Sequence, residues 1–497
     1  MTSTQRQGRL SDDTDLLELP LSQLIAQCLL VMPGVTSSGR PDAATLSAVR
    51  AGVGTLHSVV DMSASSAAAY HREIRETALD AGVIPPLISG NLESGVGYSL
   101  GRTGTDLPYP HGIGLADDED VAYRAALLAA EEARAIGYDW TFSPCIDVVM
   151  TDRDPILGVR AFGHGPARTG VLGAAQIRGF RDGGVASTAK HFPGHGDSAV
   201  DSHLGLPVID RSDAEHRDVH VPPFIAAIDA GVSSIMVGHV VLTRHGFDVP
   251  ASLSHEVNAG WIRRDLGYDG VIISDSLRMA AVAARWSAPE SAVLALAAGA
   301  DVANAKCEAD ALPVLIEAVR NALDTAVLNP NELRRSAGRL VRMRRELESP
   351  ASSGDPSTLD SPRTWNDPAR SNTVDLSGSI RRQGRSLAVS GDSDLAHRLT
   401  RNASDRGIFV RRLAEGERPN SDELLVDVVV PHTAVSDDDA RRIELLAESS
   451  ELLVLNGVVR ADTVRRGAGA VIVAPAVDTF GIVSEAAVDA IIDQIDS

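Results

Sequence analysis

The sequence predicts an α/β protein, a (β/α)8 TIM-like barrel followed by a smaller α/β open-sheet domain. Three observations carry that prediction. Short apolar runs alternate with longer helix-period segments over the first two thirds of the chain, the pattern of a parallel sheet. About eight such units can be counted, the number that closes a barrel. A stretch rich in Ser, Pro, Asp and Gly at 348–375 then interrupts the pattern before apolar runs resume.

The candidate barrel strands are 29–32, 54–59, 86–89, 140–144, 186–190, 234–238, 270–274 and 300–303. Between them, 120–137 and 167–184 are Ala-rich, with apolar residues at helical spacing and a closing glycine where a C-cap belongs. Residues 330–347 read as a final helix, with Asn329 as its N-cap and Pro330 in first position. The domains are therefore a barrel over 1–347, a linker over 348–375 and a smaller α/β domain over 376–497. In the last, apolar runs at 386–390, 408–410, 424–430, 452–455 and 469–475 alternate with helical patterns such as 436–448. Its loops carry neither Gly-x-Gly-x-x-Gly nor a P-loop, so no nucleotide site is expected there.

At 497 residues and 44% hydrophobic content, the chain is too long for one small module and too apolar for wholesale disorder. Its 46 basic and 67 acidic residues give a net charge of −21, which argues against a nucleic-acid partner. The densest basic cluster, Arg334 to Arg345, is interrupted by apolar residues and reads as one helix. Cys28, Cys145 and Cys307 lie far apart in apolar runs, which predicts buried free thiols rather than a disulfide framework. No apolar run approaches the ~20 residues of a membrane span. The first residues show no apolar signal region, so a cytoplasmic protein without a membrane partner is expected.

The segment that carries chemistry is Lys190-His191-Phe192-Pro193-Gly194-His195-Gly196-Asp197, followed by Asp201-Ser202-His203. It begins at the C-terminal end of a predicted strand, the active-site face of a barrel. A strand end has no stability reason to gather so many polar groups, since each unpaired one costs about 1–3 kcal/mol. His191, His195 and His203 with Asp201 offer ligand types for zinc. The Pro-Gly break forbids a helical HxxxH face, so no metal and no cofactor are expected. A short turn at Asp201-Ser202-His203 would let the carboxylate orient one imidazole nitrogen and leave the other for proton transfer. The second signal is Val271-Ile272-Ile273-Ser274-Asp275, an apolar strand ending in an acid. Asp275 is either an N-cap for the next helix or, beside the Asp201/His203 pair, a carboxylate nucleophile.

These residues resemble the β-N-acetylglucosaminidase branch of glycoside hydrolase family 3. The resemblance rests on KHFPGHGD with DSH, on ISDSLRM, on DWTFSPCIDV at 139–148 and on DPILGVRAF at 154–162, and it covers about residues 20–345. It implies a retaining, double-displacement hydrolase with Asp275 as nucleophile, His203 as acid/base and Asp201 as the carboxylate partner of His203. It also implies that Lys190, His191 and Arg160 bind the hydroxyls and N-acetyl group of the terminal sugar. The chain departs from the family at Asn91, where the family has an Asp that grips outer hydroxyls. It departs again at Ser99, which replaces an Arg although Arg102 is near, and at Asp154, which replaces an Asn. The C-terminal domain loosely resembles the α/β domain of two-domain members. The expectation is an exo-acting β-N-acetylhexosaminidase on small carbohydrates. A phosphorylase using the same residues and a non-catalytic sugar-binding relative are the rivals.

Overall fold

The computed structural model describes residues 19–101, 103–150, 157–163, 165–197, 205–243, 249–347, 354–365, 367, 369, 374–378, 386–390, 393–406, 408–413, 423–429, 452–456, 470–474 and 485–496. Eight parallel strands close a barrel: β1 (Leu29–Met32), β2 (Thr55–His57), β3 (Leu87–Gly90), β4 (Trp140–Thr141), β5 (Thr188–Phe192), β6 (Ser234–Val237), β7 (Val271–Ser274) and β8 (Ala303–Glu308). Ladders run from β8 through β1, β2 and β3 to β4 and from β5 through β6 to β7. Single parallel bridges, Trp140 to Ala186 and Ile273 to Val302, complete the circle. Strands β2, β3, β5, β6 and β7 are buried at every position, because helices cover one face and the barrel interior the other.

The barrel interior is a packed core. Leu30, Leu87, Trp140, Met236, Val271 and Ile273 meet there. The Trp140 indole donates to Thr188 Oγ1 at 2.8 Å and to Ser234 Oγ at 3.0 Å, which satisfies its one donor inside an apolar space. Leu340 and Met343 of the helix Pro330–Glu346 join this core, and Arg344 of that helix donates to Gly54 O at 2.8 Å, so the helix covers the N-terminal end of the barrel. The opposite, C-terminal end remains for the site.

The helix boundaries follow from their caps. Asp118 accepts from the N–H groups of Asp120 and Val121 at the start of Glu119–Ile136, and Gly137 ends it at φ +99°. A capping box of Ser287 and Glu290 opens Ala288–Ala298, and Gly299 closes it at φ +106°. This second closure corrects the sequence reading of β8. Within the run at 300–303 Val302 forms a single bridge and Ala303 opens the strand, which continues through Asn304, Lys306 and Glu308. Asp301, just before the strand, is fully buried and ion-paired to Arg263 and Arg339.

The stretch read as a linker is packed against the barrel where it is described. Arg363–Thr364 pairs in parallel with Thr105–Asp106, Leu359 O accepts from Gly104 N at 2.8 Å, and Leu359 and Trp365 belong to the barrel's outer core. Beyond it, a six-stranded sheet runs in the order β9 (Asp375–Gly378), β14 (Ala470–Ala474), β13 (Leu452–Asn456), β12 (Glu423–Val429), β10 (Ser386–Ser390), β11 (Val410–Arg412). Only β9 is antiparallel. This sheet has its own apolar core with the helices Asp394–Asp405 and Glu485–Asp496. The helical pattern at 436–448 lies outside the described residues. Among the described residues, no helix is long and apolar enough to cross a membrane. Cys28 and Cys145 are buried thiols as expected, whereas Cys307 is half-buried near the end of β8.

Candidate active site

A cavity of about 330 Å3 opens at the C-terminal ends of the barrel strands. Its lining includes His57 at the end of β2, Asn91 just after β3, Lys190 and His191 in β5, Asp275 just after β7 and Lys306 in β8. Arg160, from the short helix Gly158–Arg160, also reaches it. Five sequence-predicted residues, Asn91, Arg160, Lys190, His191 and Asp275, are thus brought to one cavity. Asp201 and His203 lie outside the described residues, as do Arg102 and Asp154.

Two buried carboxylates organise the donors. Glu93 Oε1 accepts from Lys190 Nζ at 2.7 Å and from Arg160 Nη2 at 3.1 Å. Burial pushes the Glu93 carboxyl up, but the Lys190 and Arg160 charges outweigh it and hold it at about 2. Asp147 does the same for the His loop. It accepts from the His191 N–H at 3.0 Å, His191 Nδ1 at 2.7 Å and the His195 N–H at 2.7 Å. Burial raises the Asp147 carboxyl, and the His191 and His195 contacts pull it well below the usual carboxylate range. An ionised carboxylate only accepts, so His191 Nδ1 carries a proton and Nε2 is the other ring nitrogen available to the cavity.

Asp275 is not a helix cap. The next helix starts at Ala280 with Met279 as its N-cap, and Asp275 Oδ1 accepts instead from the Ser276 N–H at 2.6 Å. Burial raises its carboxyl, but His191, His239, the Ser276 N–H and Lys190 overcome that and hold it well below the usual range. Among the described residues its second oxygen has no hydrogen-bond donor. The result is an ionised carboxylate in a cavity with one oxygen uncommitted.

The loop after β5 is braced from the helix Asp213–His220. His216 Nε2 donates to Pro193 O at 3.0 Å, and Arg211, just before the helix, pairs with Asp197. Gly194 is required between them: it sits at φ +121°, and a Cβ there would lie 2.5 Å from His220.

Ser99 is not a sugar clamp. It is buried, accepts from the Asn91 N–H at 2.8 Å and donates to Asn91 O at 2.8 Å, so it holds the backbone that presents Asn91. Cys145, Asp147 and His191 have ligand atoms within 4.8 Å of one another. The Cys145 thiol, pushed up by burial and by Asp147, donates to Asp147 at 3.3 Å, so the trio is bonded to itself.

Residues 32–343, more than half of the chain, match the N-terminal domain of glycosyl hydrolase family 3. The chain belongs to this family. Among its curated relatives is a β-N-acetylglucosaminidase/β-glucosidase of Cellulomonas fimi, 32% identical over 251 residues, which are 48% of this chain and 44% of that protein. Another is a β-hexosaminidase of Stenotrophomonas maltophilia, 34% identical over 251 residues, covering 49% of this chain and 74% of that protein. The match therefore spans less than half of the first relative's length. The family 3 β-N-acetylglucosaminidase from Paenibacillus sp. str. FPU-7 superposes with a TM-score of 0.79 at 23% identity, over 95% of this chain and 96% of that one. That likeness spans both domains and establishes the shared fold.

Several groups of the site lie beyond the residues singled out from the sequence. Glu93 stands two positions past Asn91 in the same loop, and Asp147 lies in the 139–148 segment that already resembles the family. The available signal for both was an acid a few residues past the C-terminal end of a predicted strand, the active-site face of a barrel. His57, stacked on Phe142 at 5.0 Å between centroids, is kept neutral, since burial and then Lys306 and Lys190 push its pKa well down. Lys306 carries no motif signal. It adopts φ +47°, a left-handed conformation that costs an L-residue about 1–2 kcal/mol.

Proposed function

We propose that this family 3 chain is a retaining, exo-acting glycoside hydrolase that releases terminal β-linked N-acetylglucosamine or a related β-hexoside. The names of its curated relatives support the glycon. The observation that carries the chemistry is Asp275, ionised, at the C-terminal end of β7, with one oxygen free of hydrogen bonds among the described residues. In this reading Asp275 attacks the anomeric carbon, and the leaving oxygen takes a proton from His203, oriented by Asp201. The resulting glycosyl-aspartate is opened by water that His203, now neutral, deprotonates. Lys190 and Arg160, held by Glu93, and His191, held by Asp147, donate to the hydroxyl and N-acetyl oxygens of the sugar. Donors fixed in advance by buried carboxylates need no rearrangement when charge develops on the ring.

The test is turnover of a chromogenic β-N-acetylglucosaminide with and without phosphate, followed by trapping with a 2-fluoro glycosyl donor. Release of free sugar with the label on Asp275 is expected. Sugar phosphate as product makes the enzyme a phosphorylase on the same residues. A label on another carboxylate, or binding without turnover, sinks the reading.

A further inference from the structure

Four cations line the cavity, Arg160, Lys190, Arg278 and Lys306, and Asp275 is the carboxylate among its lining residues. Arg160 and Lys190 are both committed to Glu93. Lys306 is not: it enters the cavity from β8, and among the described residues no group hydrogen-bonds its ammonium. Arg278 lines the same cavity from the loop after β7. Its guanidinium lies 3.3 Å from Lys306 O, and its counter-charge is Glu308 at 3.6 Å, with both side chains more than half exposed. That is a weak, screened pair, which leaves Arg278 able to turn towards a ligand. The left-handed backbone of Lys306 is the second observation. Glycine would sit at φ +47° without strain, yet the chain places there a side chain whose charge meets the cavity.

We propose that Lys306 and Arg278 form an oxyanion subsite at the edge of the cavity, which takes a carboxylate or phosphate presented beside the sugar held at Asp275. The sugar half of this statement rests on the function proposed above; the anion half rests on the two cations alone. The oxyanion has two sources. One is an acidic substituent on the glycoside being cut, anchored while water remains the acceptor. The other is inorganic phosphate as acceptor. A phosphate oxygen then forms a bond to the anomeric carbon as the bond from that carbon to the Asp275 oxygen breaks. The electron pair returns to the carboxylate, and a sugar 1-phosphate leaves.

Three substitutions test the subsite. Lys306→Met removes the charge, Lys306→Gly removes the charge and relieves the backbone, and Arg278→Gln removes the neighbouring charge. Binding of inorganic phosphate is measured by titration calorimetry in a buffer without other oxyanions. kcat/KM is measured on a neutral aryl β-N-acetylglucosaminide, with and without phosphate, and on the matching carboxyphenyl glycoside. The wild type should bind phosphate saturably or prefer the carboxyphenyl glycoside. Both Lys306 variants should weaken that effect about tenfold or more, the loss expected for a hydrogen bond between charged groups. Arg278→Gln should weaken it by a smaller factor. Sugar phosphate among the products assigns the anion to the acceptor; preference for the carboxyphenyl glycoside assigns it to the substrate. Equal anion effects in wild type and Lys306 variants overturn the subsite, as does a wild type with no anion effect. If no glycoside is cut but phosphate binding still depends on Lys306, the glycosidase reading fails and the subsite stands. If the neutral glycoside is cut with no anion effect, the reverse holds.

Discussion

Lys190 Nζ lies 2.7 Å from Glu93 Oε1, with the two side chains 3% and 0% exposed. The same oxygen takes Arg160 at 3.1 Å. One buried carboxylate thus holds two cations at fixed positions beside Asp275, where they would otherwise repel each other. A shared buried acceptor of this kind is costly to break, because removing it leaves charges unpaired in a poorly hydrated space.

Glu93→Gln should therefore destabilise the barrel by about 3–5 kcal/mol, the range for breaking a buried pair from one side. It should also lower kcat/KM by freeing Lys190 and Arg160. The pH dependence has a definite sign. The folded Glu93 carboxyl sits at about 2, below its ordinary value of 4.5, so its stabilisation is fully present above pH 4.5 and is lost as pH falls towards 2. Urea titrations of wild type and variant across that window should show a slope that the variant lacks. Equal slopes would remove Glu93 from its organising role.

Asp147→Asn should act through His191. The amide can present N–H instead of oxygen to Nδ1, which permits the other tautomer and removes a charged acceptor from two main-chain donors. Loss of hydrogen bonds to a charged group corresponds to roughly 10–150-fold in kcat/KM. Asp147→Ala should be no milder in activity and worse in melting temperature. A full-rate Asp147→Asn enzyme would show that His191 needs no orienting partner.

His203→Ala should slow glycosides with poor leaving groups far more than activated aryl ones, by about 10²–10⁴-fold, since only the former need the proton. Asp201→Asn should act through His203, so the double variant should lose much less than the product of the single losses. Equal losses for alkyl and aryl substrates would reject the acid role, and multiplicative losses would separate the two residues.

Asn91→Asp should change glycon choice more than catalysis. Ser99 fixes the Asn91 backbone through both its N–H and its C=O, so the side chain can be changed while the loop stays in place. A carboxylate makes stronger hydrogen bonds to sugar hydroxyls than an amide. Specificity constants for N-acetylglucosamine, N-acetylgalactosamine and glucose substrates should shift relative to one another. Unchanged ratios with a changed melting temperature would place Asn91 in the loop rather than the subsite.

The sequence by itself determined the barrel and most of its motif-bearing residues. Strand β1 at 29–32, the helix opening at Pro330 and the Asp275 strand end are local events, written in apolar runs, caps and turn residues. Lys190, His191 and Asp275 are legible because polar groups gathered at strand ends have no stability explanation, whereas Arg160 is legible only through the family resemblance. Tertiary structure decided what those groups touch. Glu93 and Asp147 became the hubs of the site only when a closed barrel brought residues 67 and 97 positions from Glu93, and 44 from Asp147, within hydrogen-bond distance. Ser99 took a backbone-holding role that its position in a motif did not reveal. Lys306 enters the cavity because β8 extends from Ala303 to Glu308, beyond the apolar run at 300–303 that the sequence marks. Strand position depends on pairing with neighbours far away in the chain, and that pairing, not the local run of residues, sets which side chains face the cavity.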